Sequence, residues 1–337
     1  MIYLYSVVCF VILLLSFKYF APKVNLIDKP NFRKQHKGNI PLVGGLIIYI
    51  NILIFSFAFD ISNYMNTVIL TSVILILLGA LDDAIGLGVT FRLLAQLTCC
   101  LIVVGSGLQI NNIGDYLFLP KIEIGILSVL FTVFCVIGLT NSFNFIDGVD
   151  GLCSGLALIS IITIMIISYL DNTLINLIDF KFLILVLITI TLFIFFNVTN
   201  YIKIFLGDSG SMFLGFFISW TLIMSSQGDS NIIHPILTIW CVTLPVFDIT
   251  SVVVRRILRK INPFKPDRRH VHHILIEMGL SGNATTAVIL FLSIILNFFG
   301  ILIFYLSGPF PTLISFFILL FMYVILMIHL SRIAHSK

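Results

Sequence analysis

Long apolar stretches without a single charged residue recur from one end of the chain to the other. Most of them are close to the ~20 residues that a helix needs to cross the hydrocarbon core of a bilayer. They lack the alternation of polar and apolar positions that barrel strands show, and a helix satisfies its own backbone hydrogen bonds in lipid. The pattern predicts membrane-spanning helices in the charge-free runs 38–59, 61–81, 93–114, 124–146, 151–170, 182–202, 209–228, 230–247 and 278–331.

The number of spans follows from how these runs begin and break. The run 278–331 is long enough for two helices, and Ser307-Gly308-Pro309-Phe310-Pro311 divides it at a turn through which a helix does not readily continue. The run that starts at 230 continues past Asp248 to 254. A further apolar helix over 2–19 has no basic start and no small-residue cleavage site, so we expect a retained helix rather than a signal peptide. We therefore predict an all-α polytopic membrane protein, one domain over 1–337, with eleven transmembrane helices.

Composition and charge agree with this fold class and give it an orientation. Of 337 residues, 59% are hydrophobic and 10% are charged, whereas a soluble domain carries about 25% charged residues. Lys and Arg accumulate in cytoplasmic loops. In an eleven-helix bundle, 17 of the 19 would lie on one side, six of them over 18–37 and seven over 255–269. The amino terminus is then expected outside the membrane and the carboxyl terminus in the cytoplasm.

Polar clusters lie at the predicted cytoplasmic ends of several spans, while the external loops hold only scattered aspartates. Unrelated loop charges would be distributed over both faces of the membrane, so their convergence on one face predicts an active site built from cytoplasmic loops. The clustered residues are Asp82 and Asp83 after the third span, Asn141, Asn144, Asp147 and Asp150 after the fifth, Asp208 after the seventh, and His270, His272 and His273 after the ninth.

The carboxylates of these clusters favour a hard metal ion. Two adjacent carboxylates, Asp82 and Asp83, need a cation or a raised pKa in one member, although a helix end that reaches water is a simpler explanation. Asp147 and Asp150 would share one face of a helical turn, and helix capping accounts for only one of them. Gly207-Asp208-Ser209-Gly210 is typical of an amide-rich loop at a helix start. An oxygen-rich set of this kind suits Mg²⁺ before Mn²⁺.

The histidine cluster favours an anion rather than a metal. His270-Val-His272-His273 has none of the usual zinc spacings. Arg268 and Arg269 directly precede it in a basic segment, and arginines beside protonatable histidines form phosphate-binding patches. A positive-inside anchor with incidental histidines is the alternative. Metal-binding oxygens and phosphate-binding cations at a lipid boundary together indicate phosphoryl transfer, which depends on positioning and charge neutralisation.

These segments resemble the polyprenyl-phosphate N-acetylhexosamine-1-phosphate transferases, a family of membrane enzymes. They occur in the order of the family's motifs over residues 37–273, and only the whole set is specific. The matching segments are Lys37-Gly-Asn-Ile-Pro41-Leu-Val-Gly44-Gly45, Leu81-Asp82-Asp83, Asn141-Ser-Phe-Asn144-Phe-Ile-Asp147-Gly148-Val-Asp150-Gly151-Leu152, Phe205-Leu-Gly207-Asp208-Ser-Gly210-Ser and Pro263-Phe-Lys-Pro-Asp-Arg268-Arg-His270-Val-His272-His273.

The resemblance implies a UDP-sugar donor, an undecaprenyl phosphate acceptor, Mg²⁺ or Mn²⁺, and release of UMP. It implies that Asp208 is a metal ligand, with Asp83 beside the metal. Asp82 is then expected to deprotonate or orient the attacking phosphate oxygen. Further implied roles are donor binding or site shape for Asp147 and Asp150, uracil stacking for Phe205, and donor contacts for Lys37, Asn141, Asn144, Arg268, His270, His272 and His273.

The last motif separates branches of that family. The branch that uses UDP-N-acetylmuramoyl-pentapeptide has three consecutive histidines, whereas this chain reads Arg269-His270-Val271-His272-His273. The resemblance therefore favours UDP-N-acetylglucosamine and a lipid pyrophosphate that starts a cell-surface polysaccharide such as O antigen. UDP-N-acetylfucosamine, -quinovosamine and -galactosamine stay open.

Two other classes of protein, a transporter and a non-catalytic membrane scaffold, are the rival interpretations. Carriers place intramembrane carboxylates near the midplane, often in repeated halves, and neither feature is found here. The expected location is the bacterial cytoplasmic (inner) membrane, with the active site facing the cytoplasm. Membrane lipids are expected partners, nucleic acid is not, and a monomer and a homodimer both stay open.

Overall fold

The computed structural model describes residues 1–29, 38–117, 120–171, 179–199, 201–227, 233–261 and 269–336. Their regular secondary structure is helical, apart from the two-residue strands β1 (Ile27–Asp28) and β2 (Ile40–Pro41). The helices are α1 (Ile2–Phe20), α2 (Gly44–Ser56), α3 (Asn63–Ile85), α4 (Val89–Gly105), α5 (Ser128–Ile146), α6 (Leu152–Leu170), α7 (Phe180–Val198), α8 (Gly207–Gln227), α9 (Pro235–Trp240), α10 (Thr243–Leu258), α11 (Val271–Glu277), α12 (Gly282–Ser307) and α13 (Pro309–Ser336).

Within the described ranges, eight helices are long and apolar enough to cross a membrane: α1, α3, α5, α6, α7, α8, α12 and α13. Helices α2 and α4 are apolar but shorter. The all-helical, multi-span prediction is therefore confirmed, while the count of eleven and the orientation stay predictions. The predicted break near Pro309 is also confirmed, since α12 ends at Ser307 and α13 begins at Pro309.

The predicted ninth span is broken in the structure into α9 and α10. Pro245 is the cause, because it has no amide hydrogen to donate to the carbonyl of Cys241 four residues earlier. The Asn297 side-chain amide of α12 donates to that Cys241 carbonyl instead, at 3.2 Å. Apolarity alone does not reveal this break, but Pro245 was a readable signal of the kind that marks the turn at Pro309.

Helix α8 occupies the centre of the bundle. It packs against α3 and α5, and nearly all of its side chains are buried. Glycines allow its first turn to lie close to its neighbours: a Cβ on Gly45 of α2 would overlap Gly210, and a Cβ on Gly79 of α3 would overlap Ser209. The start of α8 is thereby fixed between α2 and α3.

The segment that leads into α2 runs beside the segment that leads into α8. The amides of Gly44 and Gly45 donate to the carbonyls of Phe205 and Leu206 at 2.9 Å each. The Phe205 amide in turn donates to the carbonyl of Pro41 at 2.9 Å. Two motifs that are far apart in the sequence are therefore joined by backbone hydrogen bonds immediately before Asp208.

Polar contacts of a different kind close the opposite end of the bundle. Asp179, which precedes α7, is buried and accepts hydrogen bonds from the Ser62 amide at 2.9 Å and the Ser62 hydroxyl at 3.0 Å. Gln227, the last residue of α8, accepts from the amides of Asn111 and Asn112 at 3.0 and 3.2 Å. These contacts join helix ends, and none of the predicted site residues lies among them.

Candidate active site

Asp83 links the end of α3 to the start of α8. Its Oδ1 accepts the Asp208 amide at 3.0 Å and its Oδ2 lies 3.4 Å from the Ser209 amide. The first amides of a helix have no partner within the helix, and a carboxylate there is favoured by the helix dipole. Gly207 makes this contact possible, because it has φ +74° and a Cβ at that position would lie 2.5 Å from Asp83 Oδ2. Asp83 therefore fixes the backbone that carries Asp208.

Asp82 turns toward α4 instead. It is buried, its Oδ1 accepts the Leu87 amide at 2.5 Å, and its Oδ2 forms an ion pair with Nε of Arg92. Nη1 of the same guanidinium lies 3.6 Å from Oδ2 of Asp208. Arg92 thus stands between two of the predicted carboxylates and compensates part of their charge.

Two asparagines of α5 point toward different neighbours. The Asn144 amide donates to Asp208 Oδ1 at 2.8 Å and to the Ser211 hydroxyl at 2.9 Å. The Asn141 amide donates to the side-chain carbonyl of Gln96 on α4 at 2.7 Å. Asn144 therefore orients Asp208 directly, whereas Asn141 links α5 to the helix that carries Arg92.

Asp147 lies at the end of α5, where the chain turns toward α6. Burial raises the pKa of its carboxyl well above the usual value, and the negative charges of Asp208, Asp83 and Asp150 raise this pKa further. A carboxyl group in this position binds a proton far more readily than an ordinary aspartate, unless a cation neutralises the surrounding charge. The predicted convergence of the carboxylates at one end of the bundle is present in the structure.

Asp150 lies at the edge of this group. Its carboxylate pairs with Nζ of Lys203 at 2.6 Å, and its carbonyl accepts the Thr286 hydroxyl at 3.0 Å. The Asn197 side chain accepts the Gly151 amide at 2.6 Å and donates to the Ile204 carbonyl at 2.9 Å. The turn after Asp147 is consequently tied to the segment that leads into α8, and Asp150 takes part in that link.

The histidine motif forms the start of the short helix α11. Nδ1 of His270 lies 2.7 Å from Oδ2 of Asp248, and the Val271 amide donates to Oδ1 of the same carboxylate at 2.9 Å. The ring of His270 also lies against Phe145, with 5.5 Å between the ring centroids. A buried carboxylate of α10 therefore anchors the first residues of the motif.

His272 is completely buried and directly faces the Asp147 turn. Neither of its ring nitrogens has a hydrogen-bond partner among the described residues. Its ring leaves no room for a Cβ on Gly148, and the ring of His273 lies beside it at 4.1 Å between centroids. Burial lowers the pKa of His272 to about 3, with His273 contributing in the same direction, so its imidazole is neutral at physiological pH.

The remaining predicted residues lie near this centre or outside the described ranges. Phe205 precedes Asp208 by three positions, and Nζ of Lys203 lies 5.6 Å from its ring centroid. Lys37 and Arg268 lie outside the residues that the structure describes, so their roles stay predictions.

The site has more negative than positive charge in the described part of the chain. Asp82, Asp83, Asp147 and Asp208 lie together, and Arg92 is the cation that contacts them directly. No group of three His, Cys, Asp or Glu side chains in the described ranges is arranged as a complete ligand set. Mg²⁺ does not require one, because it usually binds through one or two carboxylates, several waters and substrate phosphates. The donor set and its excess charge fit such an ion.

Sequence reasoning missed two participants. In the sequence Arg92 is only one of the positive charges predicted on the cytoplasmic side, although it follows Asp82-Asp83 closely. Asp248 is only part of a predicted span, although a lone carboxylate inside an apolar run is an available signal, since such a residue needs a buried partner. The structure pairs Arg92 with Asp82 and Asp248 with His270.

The chain is similar to known membrane transferases over most of its length. A model of glycosyl transferase family 4 matches residues 65–226. Three relatives carry the name undecaprenyl-phosphate alpha-N-acetylglucosaminyl 1-phosphate transferase. The protein from Escherichia coli strain K12 is 32% identical over 306 residues, 89% of this chain and 82% of that protein. The Haemophilus influenzae protein is 31% identical over 319 residues, which are 92% of this chain and 88% of that protein. The Salmonella typhi protein is 31% identical over 288 residues, which are 83% of this chain and 77% of that protein.

The family match includes α3 through α8, the helices that carry Asp82, Asp83, Arg92, Asn144 and Asp208. The predicted resemblance is therefore confirmed, and the two rival interpretations, a transporter and a non-catalytic membrane scaffold, are excluded. The chain belongs to glycosyl transferase family 4 and is a phosphosugar transferase.

Proposed function

We propose that this protein transfers N-acetylglucosamine 1-phosphate from UDP-N-acetylglucosamine to undecaprenyl phosphate and releases UMP. The relatives named for this activity at 31–32% identity support the sugar and the acceptor. The observation that carries the proposal is the junction of α3, α5 and α8, where Asp83 and Asn144 orient Asp208 beside Asp147. Such a junction suits the positioning of a diphosphate at the lipid boundary.

The reaction exchanges one phosphoanhydride bond for another. An oxygen of the lipid phosphate attacks the sugar-bound phosphorus of the donor and forms a new P–O–P bond. The bond between that phosphorus and the bridging oxygen breaks, and the bridging oxygen leaves with UMP. Because no covalent intermediate with the protein is needed, the side chains contribute by holding both phosphates in line and by balancing charge.

Asp208 is the residue that we propose as the principal ligand of Mg²⁺, with Asp83 as its neighbour. Asp208 is held by Asn144 through Oδ1, and its Oδ2 faces Arg92. When bound, the ion would neutralise charge on the transferring phosphate and the leaving UMP. Mn²⁺ has similar oxygen preferences and is an acceptable substitute.

A proton on the lipid phosphate has to be removed before or during attack, and two carboxylates compete for that role. Asp82 is the residue that the family resemblance favours, yet both of its oxygens are occupied by the Leu87 amide and by Arg92. Burial raises the pKa of the Asp147 carboxyl, so this side chain binds a proton more readily than an ordinary aspartate. We propose Asp147 as the proton acceptor and Asp82 as the residue that orients Arg92 toward the phosphates.

Donor binding is proposed for the histidine motif and for the segments around Phe205. His270, His272 and His273 lie at the start of α11, close to the Asp147 turn, and neutral His272 can donate or accept a hydrogen bond. Lys37, Arg268 and Phe205, which precede α2, α11 and α8 in the sequence, extend this set. Arginine and lysine are the usual partners of diphosphates, and an aromatic ring suits the uracil base.

The finer membrane arrangement is part of the proposal. The eight long helices, the shorter α2 and α4, and the α9–α10 pair together make eleven segments. With eleven segments, 17 of the 19 Lys and Arg residues would lie on the side of Asp208, which supports a cytoplasmic active site in the bacterial inner membrane. A reporter fused after Lys337 should be cytoplasmic, and an external signal would contradict this topology.

The proposal is tested with purified protein, Mg²⁺, undecaprenyl phosphate and a panel of UDP-sugars. UDP-N-acetylglucosamine should give lipid-dependent release of UMP, together with an equal amount of lipid-linked sugar pyrophosphate. Asp60→Asn, a change in an exposed aspartate away from the described site residues, serves as the control for variants of the site. Turnover with another UDP-N-acetylhexosamine or with UDP-N-acetylmuramoyl-pentapeptide, and none with UDP-N-acetylglucosamine, would refute the sugar assignment.

A further inference from the structure

The carboxylate of Asp248 is fully enclosed in the protein and makes two hydrogen bonds to one short segment. It is 0% exposed, its Oδ1 accepts the Val271 amide at 2.9 Å, and its Oδ2 lies 2.7 Å from Nδ1 of His270. A buried charge is costly unless hydrogen bonds compensate it. These two donors both come from the start of the histidine motif, so the position of that motif is coupled to α10.

A second contact from α10 holds the same segment. Arg255, also buried, donates from Nη2 to the Arg269 carbonyl at 2.5 Å and from Nε to the Ser251 carbonyl at 3.1 Å. Asp248 and Arg255 are seven residues apart and therefore lie on one face of the helix. Residues 269–271 are thus attached to α10 at two points.

The attachment continues from His270 toward the carboxylate centre. The rings of His270 and His272 are nearly parallel, with 6.1 Å between centroids and a 12° interplanar angle. His272 in turn packs directly on Gly148, the residue after Asp147. A shift of His270 would therefore move His272 and the turn that carries Asp147, because closely packed groups transmit a displacement to their neighbours.

We infer that Asp248 is a positioning residue for the transferase reaction: it holds His270 as the tautomer with a proton on Nδ1 and sets the place where α11 begins. Nε2 of His270 is then the nitrogen left to interact with the donor. Asp248 itself does not touch a substrate. The inference rests on the proposed function, in which the histidine motif binds the donor phosphates.

The kinetic test uses Asp248→Asn. The asparagine carbonyl can still accept the Val271 amide, but its amide group would face Nδ1 of His270 and require the opposite tautomer. Loss of a carboxylate that orients an active-site histidine typically costs about 10- to 100-fold or more. We expect kcat/KM for the UDP-sugar to fall by about 10- to 100-fold, while the KM for undecaprenyl phosphate stays within about twofold of the wild type.

Asp179→Asn is the matched control. Asp179 is also a buried carboxylate that accepts one amide and one side-chain donor from another segment, but it lies at the opposite end of the bundle. This control should leave the donor kinetics unchanged. If Asp248→Asn keeps donor kcat/KM within about twofold of the wild type, or if Asp179→Asn loses as much, the inference is wrong.

A second measurement needs no turnover and separates this inference from the proposed function. Hydrogen–deuterium exchange of Asp248→Ala should be faster in the peptide 269–277 and unchanged near Ser62, because the Val271 amide loses its acceptor. Unchanged exchange in 269–277 would overturn the anchoring role. If exchange changes as expected but the wild-type protein releases no UMP from any UDP-sugar, the proposed function fails and the anchor stands as a structural feature.

Discussion

Replacing Gly207 by alanine tests whether the contact between Asp83 and the start of α8 is needed for turnover. Gly207 has φ +74°, and a Cβ there would lie 2.5 Å from Asp83 Oδ2, about 0.9 Å closer than the ordinary contact limit of 3.4 Å. The left-handed backbone costs an alanine about 1–2 kcal/mol. The added methyl group also has to displace a carboxylate that accepts the Asp208 and Ser209 amides.

The control separates these two effects. Gly125 has φ +61°, a Cβ added there would meet nothing within 4 Å, and the residue lies at the far end of α5 from Asp147. Gly125→Ala should therefore lose about 1–2 kcal/mol of stability from the backbone alone and keep full activity. Gly207→Ala should lose more stability, and because a misplacement of about 1 Å can cost about 100-fold in rate, turnover should fall by about that factor.

The assay combines thermal unfolding in detergent with lipid-dependent UMP release at saturating substrates. Both variants have to elute as monodisperse, folded protein before their rates are compared. Turnover of Gly207→Ala within about twofold of Gly125→Ala would refute the reasoning, since it would mean that the carboxylate of Asp83 can move by almost an ångström without consequence for the reaction.

Three further predictions concern single side chains. Asp208→Asn should abolish turnover without loss of folded protein, while Asp60→Asn stays active; a fully active Asp208→Asn would remove Asp208 from metal binding. Arg92→Lys should reduce turnover at least tenfold, because one ammonium cannot contact both carboxylates as the guanidinium does, whereas the exposed Arg259→Lys should be silent; equal rates would count against Arg92. His272 has a pKa of about 3 in the folded protein against 6.5 normally, so the unfolded chain binds the extra proton and stability should fall as pH drops from 6.5 toward 3, by up to about 1.4 kcal/mol per pH unit. His272→Gln should flatten that dependence in pH-dependent unfolding, and an unchanged slope would contradict the assigned pKa.

The parts of the fold that depend on local patterns could be predicted from the sequence. Apolar runs of sufficient length become helices in lipid whatever their partners are, and the turn at Ser307–Pro309 follows from glycine and proline chemistry. The position of Asp208 at a helix start was likewise readable, because Gly207 and Gly210 flank it. Convergence of the carboxylates followed from counting spans, since alternate helix ends lie on the same side of the membrane.

The pairing of side chains could not be predicted, because it depends on contacts between distant helices. Arg92 and Asp82 are close in the sequence, yet their ion pair requires α4 to return beside α3. Asn197 contains no local signal that it accepts the Gly151 amide and donates to the Ile204 carbonyl. Asp248 and His270 are 22 residues apart in the sequence, and their contact depends on how α11 packs against α10.

The enclosure of α8 has a consequence for how the protein becomes active during its synthesis. Among the eight long helices, α8 is the least apolar, and almost none of its surface is left for lipid. A helix with serines and glycines along its length gains little from contact with acyl chains, and it is stabilised chiefly by the helices around it. It is made after α3 and α5, the two helices against which it packs most closely. Because α3 supplies Asp83 and α5 supplies Asn144, the contacts that orient Asp208 can form only once α8 packs against both of these helices.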